Sequence, residues 1–275
     1  ALDGLVTKQE FTLTDFRTRG GATVPQMRLG YETYGTLNAA KDNAILIPHF
    51  FSGSSHAAGK YTETDAAPGY WDAIIGPGKP IDTDKWFVVS VDSPVNLSAH
   101  DPMVITTGPA TVNPATGEPW GMEFPVMTIG DFVDTQKGLM EQLEIPRWHA
   151  VIGASMGGLQ SYEWAARYPD LLERVVPVIS SGYADGALIA WLDVWATPIR
   201  VDPNWNGGDY YGGDAPLAGL AGALKTLTLH ANSAEWANGT FGRKPAEGQD
   251  PAASLDGQFA VQAALVLALF AIPGS

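Results

Sequence analysis

Polar and apolar positions change rhythm several times along the 275-residue chain, and each rhythm predicts a different element. Glu10 to Thr14 and Met27 to Tyr34 alternate in polarity. Alternation marks strands with one buried face, so these stretches predict an opening antiparallel pair. Ala44 to Pro48, Trp86 to Asp92, Ala150 to Ile152 and Val175 to Ile179 are short, continuous apolar runs. A run of that kind predicts a strand buried on both faces. Helical spacing lies between them. Thr128 to Leu143 gathers Ile129, Phe132, Val133, Leu139, Met140 and Leu143 largely on one face, and Met156 to Arg167 predicts a second helix that Pro169 stops. Buried strands alternating with helices predict an α/β fold, a mostly parallel sheet with helices on both faces.

The rhythm breaks after Ser181. Residues 183–248 are rich in Trp, Gly, Asp and Asn and contain no buried-strand run, while helical patterns occupy 185–196 and 218–230. Residues 1–181 are therefore read as the core, and 182–275 as an inserted helical cap over the carboxyl edge of the sheet. The cap's tryptophans either line a substrate channel or pack its helices together. Ala260 to Ile272 is the most apolar stretch, too short to span a bilayer, and predicts a core or cap helix.

Composition narrows the partners. The formal net charge is −14, which disfavours nucleic acid and anionic membranes. The chain has no cysteine, so thiol nucleophiles, disulfides and thiolate metal sites are excluded. No metal site is expected, because His49, His56 and His100 are isolated and lack ligand spacing. The sequence starts at Ala1 and carries no signal peptide, which leaves the compartment open between cytoplasm and export.

The strongest chemical signal is Gly153-Ala154-Ser155-Met156-Gly157, a G-x-S-x-G pattern between a predicted strand and a predicted helix. That context makes a nucleophile elbow, in which a strained turn lifts a serine hydroxyl above the sheet edge. Gly153 and Gly157 leave room for backbones to approach, and the helix N-terminus aims N–H groups at a developing oxyanion. In the α/β-hydrolase architecture one oxyanion donor is the residue after the nucleophile, here Met156. The other comes from the loop after an earlier strand, here His49 to Gly53, with Phe51 as the expected donor and Ser52 next. His49 precedes Ser155, against the order Ser, acid, His, so it is expected to hold the loop by a hydrogen bond rather than act as base.

Several separated segments resemble the homoserine O-acetyltransferase family of α/β-hydrolases. They include Leu29 to Asn38 (LGYETYGTLN), His49 to Gly59 (HFFSGSSHAAG), Tyr70 to Phe87, Thr107 to Pro109 with Asn113 to Gly117, Phe124 to Ile129, and Gly153 to Asp170. The resemblance implies an acyl-enzyme on Ser155, an acyl-coenzyme A donor as co-substrate with no bound cofactor, homoserine as acceptor, and a homodimer formed through the cap. Three departures bear on this. Leu224 stands where the family carries an arginine associated with the acceptor. Val91 to Ile105 differs from the family's Gly-rich stretch. The family also continues past the equivalent of Ser275 with strands bearing the catalytic Asp and His. After Ser155 the only histidine is His230, in a predicted cap helix, and a displaced base there is a lesser option. The expectation is a second polypeptide supplying Asp and His. Acyl transfer to a hydroxyl acceptor leads, ester hydrolysis on the same serine is the alternative, and a non-catalytic binding module is the lesser one.

Overall fold

The computed structural model describes residues 4–267. The chain divides into two compact units, Ala1–Tyr183 and Ala184–Ser275. In the first unit β1 (Gln9–Arg17) and β2 (Thr23–Tyr34) form the antiparallel pair, followed by β3 (Ala44–Pro48) and two short strands, β4 (Ile75–Gly76) and β5 (Ile81–Asp82), paired apart from the main sheet. Then come β6 (Phe87–Val91), α1 (Ile129–Gln142), β7 (Ala150–Ala154), α2 (Met156–Arg167) and β8 (Val175–Val178). The six-stranded sheet runs β1-β2-β6-β3-β7-β8. β6, β3, β7 and β8 are mutually parallel, and β2 joins β6 antiparallel.

Continuous apolar runs become strands buried on both faces because alternate residues feed two cores. Leu46, Val89, Val91 and Val151 belong to the larger cluster with Val133, Leu139, Trp148 and Trp164. Ile45, Ile47, Val88 and Ala150 belong to a second cluster with Ile75 and Ile81. One-residue alternation between opposite faces is what a strand imposes. The fourth run departs from its expectation. β8 is one of the two edge strands among the described residues, and Val176, Val178 and Ile179 are exposed. α1 opens on a capping box: Thr128 Oγ1 accepts from Asp131 N–H while the Asp131 carboxylate accepts from Thr128 N–H. The buried Asp131 also accepts from Arg19 N–H at 2.7 Å, which ties the β1–β2 turn to this helix.

The second unit is helical: α3 (Gly186–Arg200), α4 (Leu217–Ala231), α5 (Ala234–Thr240) and α6 (Ala260–Leu267). Residues 268–272 of the apolar stretch expected to be helical lie outside the described residues. Asp185 and Ser233 cap α3 and α5. Asp202 grips both sides of a bend, accepting from Asn204 N–H at 2.8 Å and Gly219 N–H at 2.6 Å. Asp193 pairs with Arg200. His230 stacks face to face on Trp191, with ring centroids 3.7 Å apart, and Trp195 lies 5.6 Å away. The three rings pack α3 against α4. Among the described residues no helix is long and apolar enough to cross a membrane.

Candidate functional site

The turn from β7 into α2 has the geometry that the spacing of its glycines predicts. Ser155 sits between strand and helix at φ 54°, ψ −119°. Few residues other than glycine adopt positive φ, and holding one there costs about 1–3 kcal/mol. Each flanking glycine answers a specific steric demand. A Cβ on Gly153 would lie 2.2 Å from Gly157 O, and one on Gly157 would lie 2.3 Å from Pro48 O. Gly158 is as tightly placed, since a Cβ there would meet Ser180 Cβ at 2.3 Å.

The strain frees the hydroxyl. Serine at a helix N-cap ordinarily accepts a bond from the N–H two or three residues on. Ser155 is the N-cap of α2, yet its side chain makes no capping bond, and it is exposed. Its backbone is tied down instead. Ser155 N–H donates to Val178 O at 3.0 Å, and Ser155 O accepts from Gly158 N–H and from the Ser180 hydroxyl, both at 2.8 Å. Ile179 takes the rare φ of 49° just where Ser180 is turned towards the elbow. Among the described residues Met156 and Gly157 make no backbone N–H bond, so two donors stand free at the positive end of α2.

The loop after β3 lies against the same helix end. Phe51 is 45% exposed and its N–H has no partner among the described residues. His49 is buried and wholly engaged: Nδ1 donates to Phe50 O at 2.6 Å, and Nε2 accepts from Ser93 N–H at 3.0 Å. That pattern fixes the neutral tautomer protonated on Nδ1, and burial lowers the pKa of the ring below its ordinary value. The two ring nitrogens of His49 thus link Phe50 O in this loop to Ser93 N–H after β6. Asn96 completes the brace by donating to Gly53 O at 3.0 Å.

Sequence reasoning missed the residues that join these parts. Gln160 Nε2 donates to His49 O and to Met156 O, each at 3.2 Å. Gln136 Nε2 donates to Gln160 Oε1 at 2.6 Å, and Trp164 Nε1 donates to Gln136 Oε1 at 2.7 Å. All three are buried. A signal was present: Gln136 occupies the apolar face shared by Phe132, Val133, Leu139 and Met140, where a polar residue must find a partner. Asn96 and Ser180 carry no such signal, because neither lies in a periodic element.

No hydrogen bond among the described residues reaches the Ser155 hydroxyl from a histidine or carboxylate. Those residues also contain no cluster of three or more His, Asp or Glu side chains able to hold a metal ion.

Known proteins resemble this chain in sequence and fold. The family described as alpha/beta hydrolase fold matches residues 43–261. Homoserine O-acetyltransferase from Methanococcoides burtonii is 39% identical over 259 residues, covering 94% of this chain and 52% of that protein. The chain thus spans about half the length of that relative. Among solved structures, esterase E22 is 48% identical with a TM-score of 0.92, covering 98% of this chain and 74% of its own. Homoserine O-acetyltransferase from Bacillus anthracis is 38% identical with a TM-score of 0.92, covering 98% and 72%. With this fold, this elbow and these relatives, the chain belongs to the homoserine O-acetyltransferase family of α/β-hydrolases.

Proposed function

We propose that the protein transfers an acyl group through an acyl-enzyme on Ser155. The observation that carries this reading is the strained, exposed Ser155 with a hydroxyl released from capping, beside unbonded N–H groups at the start of α2. In the reaction Ser155 Oγ attacks the acyl carbonyl and gives its proton to a base. The oxyanion of the tetrahedral intermediate accepts from Met156 and Phe51 N–H. The leaving thiolate or alkoxide departs with a proton, and an acceptor hydroxyl then attacks the ester on Ser155 and regenerates the serine.

An acyl-coenzyme A is the proposed donor and a small alcohol the acceptor, in keeping with relatives named homoserine O-acetyltransferase. The histidine and aspartate of the proton relay are assigned to polypeptide outside these residues, in the same chain or a second one. Hydrolysis is the second reading, supported by the 48% identity to esterase E22 and by the apolar Leu224.

Intact-mass analysis with a serine-reactive fluorophosphonate tests the reading. One adduct on Ser155, abolished in Ser155→Ala, is expected. Absence of an adduct from the purified protein, with every chain that accompanies it, would sink the proposal. Release of acetate against formation of acetyl ester, measured with acetyl-coenzyme A and homoserine, separates hydrolysis from transfer.

A further inference from the structure

Beneath the loop that carries Phe51 lies a buried group of charges to which acyl transfer gives no direct part. Lys8 Nζ, its side chain 7% exposed, lies 3.2 Å from Glu32 Oε1 and 3.3 Å from Asp92 Oδ2, and both carboxylates are fully buried. The three come from separate places: the segment before β1, the end of β2, and the residue after β6.

Asp92 Oδ2 accepts from Ile105 N–H at 3.0 Å; the group's other hydrogen-bond partners outside itself, directly or through Tyr34, come from one stretch. Asp92 Oδ1 accepts from Ser55 N–H at 2.6 Å, and Lys8 Nζ donates to Ser55 Oγ. Glu32 accepts from Tyr61 OH, from Tyr34 OH at 2.7 Å and, at 3.1 Å, faces His56 Nδ1. Tyr34 OH in turn accepts from Ala57 N–H at 2.9 Å and Ala58 N–H at 3.1 Å. Ser55, His56, Ala57, Ala58 and Tyr61 thus all end on this group, the first of them four residues after Phe51. At the other end of the loop, His49 and Asn96 fix Phe50 O and Gly53 O. The backbone is clamped on both sides of Phe51 and Ser52, whose N–H groups are left unbonded among the described residues.

A buried ionic group seldom adds stability over well-packed apolar side chains, so its worth lies in the geometry that it specifies. We propose that Lys8, Glu32 and Asp92 are positioning residues, a clamp that fixes the backbone of residues 49–59 and so aims Phe51 N–H at the oxyanion formed on Ser155. The inference rests on the reading of Ser155 as nucleophile for the task of the loop; the clamp itself rests on the contacts.

Two variants test it. Lys8→Met leaves the carboxylates without their cation. Tyr34→Phe removes only the hydroxyl that relays Glu32 to Ala57 and Ala58, and remains informative where Lys8→Met does not fold. The surface pair Arg28–Glu10 supplies the control, Arg28→Gln. Hydrogen exchange is read on peptides covering residues 49–59, α1 and α2, alongside the rate of Ser155 phosphonylation by a fluorophosphonate. The expected result is exchange that rises in residues 49–59 alone, with phosphonylation about ten- to a hundredfold slower, and neither change in Arg28→Gln. Unchanged exchange in residues 49–59, a rise spread evenly over α1 and α2, or loosened exchange with normal phosphonylation overturns the proposal. If the unaltered protein takes no phosphonate, the acyl-transfer reading fails, and exchange alone decides whether the clamp exists.

Discussion

Two glycine-rich stretches of this chain look alike in composition and differ in physical meaning. Gly153 to Gly158 contains three glycines, and Asn206 to Gly213 contains four. In the first, every glycine stands where a Cβ would meet another atom at 2.2–2.3 Å. In the second, Gly207 and Gly212 face open space, and a Cβ on Gly213 would find only Tyr210 O at 3.7 Å. Gly153 and Gly157 are glycine because backbones must touch there, and Gly158 because the side chain of Ser180 fills the space. Gly207 and Gly212 are glycine because the chain turns through positive φ, at 66° and 82°, where lost freedom rather than collision is at stake. Glycine content therefore says little about a site, whereas the nearest atom to an absent Cβ says a great deal.

Substitution should widen this contrast. The largest effect is expected for Gly157→Ala, whose methyl group would collide with the carbonyl of Pro48 at the end of β3. Backbone cannot swing aside as a side chain can, so a loss of about 3 kcal/mol in denaturant unfolding is expected, together with loss of fluorophosphonate labelling. A Gly157→Ala protein that labels at the normal rate would remove the steric argument for the elbow.

Next in size is Gln160→Leu. It strands the carbonyl of His49 and the amide of Gln136 in the interior, at about 1–3 kcal/mol. Chemical denaturation should register this loss, and labelling of Ser155 should slow as well.

A smaller, pH-dependent effect is expected at His49. Burial lowers its pKa, so the unfolded chain takes up a proton before the folded one does. Its stabilising contribution is complete above the ordinary histidine value of about 6.5 and is lost as pH falls through the lower folded value. His149 has the same sign, from burial first and Arg174 second, but its side chain is 22% exposed and its share should be smaller. Melting temperatures across pH 4 to 8 should therefore fall on the acid side, less so in His49→Asn, and change little in His149→Gln. An equal slope in His49→Asn and in the unaltered protein would remove His49 as the cause.

The smallest effect closes the comparison. Gly213→Ala should change stability by no more than about 0.5 kcal/mol, because the methyl group meets nothing closer than ordinary contact. A loss as large as that at Gly157 would mean that the two stretches are not different after all.

Much of this arrangement was legible in the sequence, and the reasons are local. Ala44–Pro48 became a strand within its expected bounds because five apolar residues in a row leave a strand no solvent face. The helices expected at 185–196 and 218–230 form at Gly186–Arg200 and Leu217–Ala231, since side-chain spacing alone sets a helical face. Ser155 was legible because its glycines are tied to one backbone geometry. Lys8, Glu32 and Asp92 were not. They lie far apart in sequence, and only the pairing of β2 with β6 brings two of them together. Val175 to Ile179 has the pattern of a buried strand, yet among the described residues β8 stands at an edge of the sheet, because an apolar run reports the affinity of side chains for a core and says nothing of a strand's place in the sheet.

The joined amides of Gln136 and Gln160 have one further consequence. Neither side chain has a proton to gain or lose in the range where proteins are folded. The joint that sets α1, α2 and the carbonyl of His49 in register is therefore a strut without a titration, equally taut in mild acid and mild base. Acidity can alter the charges under the neighbouring loop, but it has no handle on this strut. Whatever pH profile the protein shows, this joint contributes a flat line to it.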